Sequence, residues 1–203
     1  KQQREFVQRI NSIRETIRFI CDQNSDRIEL PKLKQAILQE AIQGKLTADW
    51  RAANPDTEPA SELLKRIQKE KARLIADKKL RPEKPLPKIS PSEIPFEIPT
   101  GWEWPRLIEL SEKTGSGSTP SGGKSAYSES GIPFLRSQNV HDDGLVLDDV
   151  ARISDAIHKR MEGTTVFPDD LLLNITGGSI GRCAIVGNEI EEANVNQHVA
   201  IIR

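Results

Sequence analysis

Residues 32–50 read KLKQAILQEAIQGKLTADW. Leu33, Ile37, Leu38, Ala41 and Ile42 fall on one face at the spacing of an amphipathic helix. Gly44 follows the last periodic residue, where a helix needs a left-handed cap, and Lys45 places a cation at the negative end of the helix dipole. Upstream of this stretch the pattern is helical. Well downstream it is a mixture of short strands and loops. The stretch is therefore a joint between a rod and a globule.

Upstream, Phe6, Ile10, Ile13, Ile17 and Ile20 are spaced 4, 3, 4 and 3 apart. That is a heptad seam, suited to a parallel or antiparallel helix partner; an ordinary amphipathic helix lying on a core is the plainer alternative. Residues 22–29 are polar. Pro31 cannot sit inside a helix without breaking it, so a break is expected, with Pro31 in the first turn of the next helix. Downstream, Asn54-Pro55 signals a turn. Pro59 opens a third helical stretch, SELLKRIQKEKARLIADKK, with one weak apolar side made by Leu63, Leu64, Ile67, Leu74 and Ile75. It reads as a solvated arm, or as a basic face for nucleic acid or another subunit. Six prolines then fall between Pro82 and Pro99, a density that excludes helix and central strand and marks a stiff connector.

The globule begins at Gly101-Trp102. Trp102 and Trp104 suit a short anchoring strand, and residues 107–112 a short helix. Residues 115–125 form a loop, and 132–140 a buried strand running into polar residues. A second strand is expected over 145–153 and a helical turn over 155–162. Residues 171–176 and 182–186 make two strands around a glycine loop at 177–181, and 199–202 one strand more. The fold class is α+β: long, coiled-coil-like spacer helices followed by a mixed domain. The organisation expected is spacer helices over 1–46, a helical arm and proline-rich linker over 47–98, and the globule over 99–203. The chain starts without Met and ends at Arg203 inside the apolar run VAIIR, which reads as a fragment with the last domain cut short.

Composition narrows the classes. Of 203 residues, 36% are hydrophobic and only 4% aromatic, against 29% charged, which is lean for one compact core. No signal peptide is evident, and the longest apolar runs are far too short for a membrane span. Cys21 and Cys183 stand far apart without metal-ligand neighbours, so a reduced, cytoplasmic chain is expected. The net charge of −1 is uneven. Residues 1–100 carry 20 Lys and Arg against 15 Asp and Glu, whereas 101–203 carry 9 against 15, so the halves hold +5 and −6. A nucleic-acid reader usually shows a basic face, and the globule has none in bulk.

Enzyme motifs are near misses. The loop GSGSTPSGGKS ends in Gly-Lys-Ser like a phosphate-binding loop, but Ser118 stands where the first glycine belongs, and LSEKT before it is no buried strand. A polar loop lying against a phosphate backbone is the better reading, with Thr119 and Lys124 as contacts. Pro168-Asp169 lacks a following Glu-x-Lys, no Asn-Pro-Pro-aromatic run is present, and His141, His158 and His198 are scattered. His198 beside Asn-Gln reads as a hydrogen-bonding strand or loop residue. Two clusters fit base-edge reading. In Arg136-Ser137-Gln138-Asn139, Arg can fork onto guanine and Gln or Asn onto adenine. In Thr176-Gly177-Gly178-Ser179-Ile180-Gly181-Arg182, glycines such as Gly178 allow close approach, Ser179 offers a hydroxyl and Arg182 a charge. A β-hairpin with a glycine turn is the structural alternative.

These stretches carry a family resemblance. LKQAILQEAIQGKLTADWR, the proline-rich link into IPFEIPTGWEW, then GSTP, GIPFLRSQNV, LLLNITGGSIGRCAIV and NQHVAII, in that order and spacing, resemble the DNA-specificity subunit of type I restriction-modification systems. The resemblance implies a non-catalytic chain that binds double-stranded DNA. In that family two target-recognition domains each read half of a bipartite site, and long helices fix the gap between the halves. Residues 1–45 would be spacer helices after a first recognition domain, or alternatively an extension before it, and the helix seam could also pair with a second copy. The partners implied are methylation subunits, which transfer a methyl group from S-adenosylmethionine to adenine, and restriction/translocase subunits that use ATP and Mg; no cofactor is implied in this chain. The acidic globule departs from a simple basic reader and places more weight on a few arginines. It also motivates a second hypothesis, a helical assembly adaptor whose globule binds protein.

Overall fold

The computed structural model describes residues 29–82, 84 and 86–203. The heptad seam from Phe6 to Ile20 lies outside the described residues. The chain divides into two compact units, one holding residues up to Leu63 together with Lys88–Trp104, the other Leu64–Pro87 together with Pro105–Arg203. Among the described residues no helix is long and apolar enough to cross a membrane.

In the first unit, helix α1 spans Glu29–Ile42. Apart from Ile37 its interior is Leu, Gln, Ala, Lys and Glu, all good helix formers, and Pro31 occupies the first turn, where its missing N–H costs nothing. The helix stops at Gly44, whose φ of 73° is left-handed and whose N–H donates to the Ala41 carbonyl at 2.9 Å. A Cβ here would also lie 2.6 Å from Pro99 Cγ, so two constraints demand glycine. A 3-10 turn, Lys45–Thr47, leads into a short helix α2, Ala48–Ala53, which the sequence reading had not separated. Arg51 ties this corner: it donates to the Gly44 carbonyl and to Thr47 Oγ1, both at 2.6 Å, and stands 5.6 Å from the Trp102 ring centre. Leu33, Leu38 and Ile42 of the apolar stripe are exposed. The expected strand at Trp102 and Trp104 is absent. Pro99 and Pro105 bracket the segment, Trp102 N–H turns back onto the Pro99 carbonyl, and Trp104 packs edge-on against Phe96 at 5.1 Å.

Helix α3, Ala60–Ala76, follows Pro59 as expected, and none of its described residues is buried. Lys71 from it caps the short helix α4, Leu107–Leu110: its Nζ donates to the Ile108 and Ser111 carbonyls at 2.6 and 2.8 Å.

The second unit is built of short strands. In chain order they are β1 Thr114–Ser116, β2 Tyr127–Ser128, β3 Ile132–Leu135, β4 Val140–His141, β5 Gly144–Leu145 and β6 Ala151–Ile153. After α5, Asp155–Arg160, come β7 Thr165–Val166, β8 Leu171–Asn174, β9 Cys183–Ile185, β10 Ala193–Val195 and β11 Val199–Ile202. A four-stranded antiparallel sheet has the order β1-β11-β8-β9, and a five-stranded sheet the order β2-β6-β3-β10-β7 with β10 parallel to β3; β4 and β5 form a hairpin. The single strand expected over 145–153 is two strands, separated by a turn with Asp149 at a φ of 54°. The loop expected over 115–125 gives its first two residues to β1, which pairs with β11.

Alternation places the core. On β8, Leu172 and Asn174 face inward while Leu171 and Leu173 are half-buried, and on β11 Val199 and Ile201 face inward. Leu172, Val199 and Ile201 form one apolar cluster with Leu135, Val140, Val166, Val186, Ala193 and Val195. Burial of this cluster, at about 25 cal/mol per Å² of apolar surface, is what holds strands of two to four residues that have little stability alone.

Candidate nucleic-acid interface

The register of the first sheet sets two ends. Asn174 lies opposite Val199, and Leu171 opposite Ile202 and Ile185. The glycine loop from 175 to 182 projects from the Asn174 end, as the connection between β8 and β9. Three other segments meet it there. Thr176 Oγ1 hydrogen-bonds His198 Nδ1, and the Ile175 N–H donates to the His198 carbonyl at 3.0 Å. Gln197 in turn bonds Thr119, and the Gly117 N–H donates to the Val199 carbonyl at 2.9 Å. The fourth segment is the one after β3, tied in through Asn174.

Asn174 is the residue on which the rim is built. It is 1% exposed, yet it ends an otherwise leucine strand. Its Nδ2 donates to the Ser137 carbonyl at 2.8 Å and to Ser179 Oγ at 3.0 Å, one in each candidate cluster. Its backbone closes the glycine loop as well: the Asn174 N–H donates to the Arg182 carbonyl and its carbonyl accepts from Gly181 N–H, both at 2.9 Å. The two clusters, far apart in sequence, are thus held through Ser137 and Ser179 by a single carboxamide. The sequence reading missed Asn174. The signal was present: in LLLN the period of two that buries Leu172 also turns Asn174 inward, and a buried amide must find partners.

The candidate residues fare differently. Arg136 is half-buried; its Nε is buried without a hydrogen-bond partner, and no acidic side chain among the described residues pairs with it. Arg182 is exposed on the glycine loop, and no side chain among the described residues pairs with it. Gln138 is exposed, with only its carbonyl engaged, by His141 Nε2 at 3.0 Å. Gly178 is exposed, and Ser179 is half-buried with its hydroxyl accepting from Asn174. Ser137 presents its carbonyl inward, to Asn174. Thr119 is exposed and bonded to Gln197, and Lys124 lies in a 3-10 turn, Gly123–Ala126. Asn139 requires a correction. It is 2% exposed; its Oδ1 accepts from Arg136 N–H and its Nδ2 donates to the Val146 carbonyl, both at 2.9 Å. With donor and acceptor both used internally, it shapes the loop that carries Arg136 and presents no edge to a base.

The rim also includes an acidic member, Asp142, whose Oδ1 accepts from the Cys183 N–H at 3.3 Å. Chemically, then, one end of the sheet offers two guanidinium groups that no acidic side chain among the described residues pairs with, an exposed carboxamide and glycine-rich backbone on a buried hydrogen-bonded footing. Guanidinium and carboxamide groups are the ones that fork onto base edges and phosphates.

An α+β unit with a rim of this kind is a candidate sequence reader, and comparison with known proteins names its relatives. No family model matches the chain. The specificity subunit of the Escherichia coli type I restriction enzyme EcoEI is 48% identical over 88 residues, 43% of this chain and 14% of the relative. That of EcoAI, also from Escherichia coli, is 37% identical over 143 residues, 70% of this chain and 23% of the relative. The chain is homologous to the specificity subunits of type I restriction enzymes, as its sequence motifs imply, and it spans less than a quarter of the length of these two. Two solved structures align more loosely. One comes from work on complex assembly and conformational transition of the type I restriction-modification system (21% identity, TM-score 0.40, 79% of this chain and 36% of the other). The other is the HsdS subunit from Thermoanaerobacter tengcongensis (18% identity, TM-score 0.39, 86% and 36%).

Proposed function

We propose that this chain is a non-catalytic, DNA-reading part of a type I restriction-modification complex, and that the rim around Asn174 reads one half of a bipartite site. The observation that carries this is the placing of Arg136 and Arg182 on loops locked together by one buried amide, two cations without acidic partners among the described residues. Arg136, Gln138 and Arg182 face base edges, with Gly178 and Ser179 bringing the backbone close. Thr119 and Lys124 serve the phosphate backbone. Asn139 and Ser137 act through the loop they hold.

On this reading α1 and the chain before it set distance, and the corner at Gly44 sets the direction in which the reader faces the duplex. The chain docks methylation and restriction/translocase subunits. Those partners use S-adenosylmethionine, ATP and Mg; this chain holds no cofactor, and the complex works in the cytoplasm. Lengthening α1 by one turn ahead of Gly44 should alter the gap in the target and leave both half-sites intact.

The direct test is substitution of Arg136 or Arg182 by Ala in the intact complex, read by the positions of methylated adenines. A forked base contact contributes roughly 1–3 kcal/mol of discrimination, so one half-site should relax. Unchanged site choice in both variants would remove these assignments.

A second reading, an assembly adaptor whose globule binds protein, is favoured by the −6 balance of residues 101–203 and the exposed stripe of Leu33, Leu38 and Ile42. Replacing residues 101–203 by another recognition domain separates the two. A new half-site supports the reader, and an unchanged target supports the adaptor.

A further inference from the structure

Ile180 sits on the glycine loop between Ser179 and Arg182 and is 67% exposed, the most exposed of the large hydrophobic side chains among the described residues. Nothing in the fold explains it, for a turn residue at this position gains no packing and a polar side chain would serve as well. The loop beneath it is firm. Arg182 N–H donates to the Ser179 carbonyl at 3.2 Å, Ser179 Oγ is held by Asn174, and Gly181 N–H is held by the Asn174 carbonyl. The loop around it is thin. Gly177 and Gly181 flank the residue at φ of 83° and 90°, and a Cβ added at either, or at Gly178, would meet no atom within 4 Å. A stiff, β-branched apolar side chain therefore stands at the tip of a narrow, well-anchored projection, one residue from the Ser179 hydroxyl, which accepts from Asn174, and two from Arg182, with which no side chain among the described residues pairs.

The major groove offers one apolar group among its donors and acceptors, the C5 methyl of thymine. Resting on the DNA-reading function proposed above, we propose that Ile180 is a specificity-determining residue that reads a thymine methyl in the half-site, beside the polar contacts of Ser179 and Arg182. The exposed isoleucine gains its burial only in the complex. Its stiffness limits the rotamer freedom lost on docking. A cytosine at that position presents no methyl and is discriminated against, while the unmethylated pyrimidine uracil, with identical hydrogen-bonding edges, isolates the apolar contact.

The test selects duplexes with this chain in its native complex, from a pool carrying a random segment, and from the same pool made with deoxyuridine in place of thymidine. The wild type should enrich thymine at one position of a half-site and lose that enrichment in the uracil pool by about fourfold, the effect of one buried methyl-sized group. Ile180→Ala should lack the enrichment in both pools and keep the preferences set by Arg136 and Arg182; Ile180→Val should retain most of it. Equal enrichment by wild type and Ile180→Ala, or equal enrichment of thymine and uracil by the wild type, overturns the methyl reading; a loss of affinity in Ile180→Ala that ignores the methyl assigns the side chain instead to wedging between base steps. If the wild type enriches no sequence at all, the DNA-reading function itself fails, and the methyl reading with it.

Discussion

At one end of the β8–β11 ladder Arg203 lies in a forked ion pair, with Nε and Nη2 each 2.7 Å from the carboxylate of Asp170, itself 1% exposed. At the other end, one strand length away, Arg182 and Arg136 have no acidic partner among the described residues, and Asn174 leaves its Oδ1 buried without a donor. The first end is saturated. Asp170 also accepts from the Phe167 N–H, Arg203 donates to the Thr165 carbonyl, and its guanidinium stands 4.7 Å from the Phe167 ring centre. The second end is tied together beneath by the Asn174 Nδ2 hydrogen bonds and open at its surface. On the proposed function, the open end is where DNA completes the chemistry. The two ends should therefore respond differently to the same kind of substitution, stability changing at one and recognition at the other.

The largest stability effect belongs to the saturated end. Asp170→Ala leaves Arg203 without its partner and should destabilise the chain by about 3 kcal/mol, the scale for breaking a buried pair from one side; denaturant unfolding measures it. Asn174 lies between the two behaviours. Asn174→Ala removes the donor shared by Ser137 and Ser179 and should lose about 1–3 kcal/mol of stability, while base preference weakens at the positions served by both loops together. If binding selection shows only one cluster affected, the amide does not couple them. Arg182→Ala should leave the unfolding midpoint nearly unchanged, since surface changes away from packed features stay within about 0.5 kcal/mol, and relax the half-site. A large loss of stability there would erase the contrast between the ends.

The smallest effect is a pH dependence. Burial, then the nearby Arg203 charge, lowers the pKa of Lys113 from 10.5, with Asp170 acting in the opposite sense. A lysine whose folded pKa is below its unfolded value binds its proton less tightly when folded. Its charged form thus costs stability at neutral pH, and that cost is relieved as pH rises through the lowered pKa toward 10.5. The difference in unfolding free energy between wild type and Lys113→Met should follow this trend, and a flat difference would place Lys113 outside the Asp170–Arg203 cluster.

Much of this arrangement was legible in the residues, and the exceptions have physical causes. The α1 helix and its glycine stop were readable because periodicity and a left-handed cap are local properties. So was the β8–loop–β9 hairpin, where apolar runs flank glycines. The strands β2, β7 and β10 were not, because two or three residues such as Ala193–Val195 carry no pattern of their own and exist through their neighbours in the sheet. Trp102 and Trp104 looked like a strand because aromatic residues favour strands, but the flanking prolines prevail. In the site, residue type names polar candidates but says nothing of burial, and Asn139 is buried. The joining of the two clusters through Asn174 is a long-range hydrogen bond, and no local rule reports one.

The central claim is that the open end reads sequence. Its most direct measurement is base-resolved mapping of methylated adenines in cells carrying the complete system, with wild-type chain and with Arg136→Ala and Arg182→Ala combined. The account predicts one relaxed half-site, with the other half-site and the gap between them unchanged. An identical methylation pattern in the two strains would contradict it.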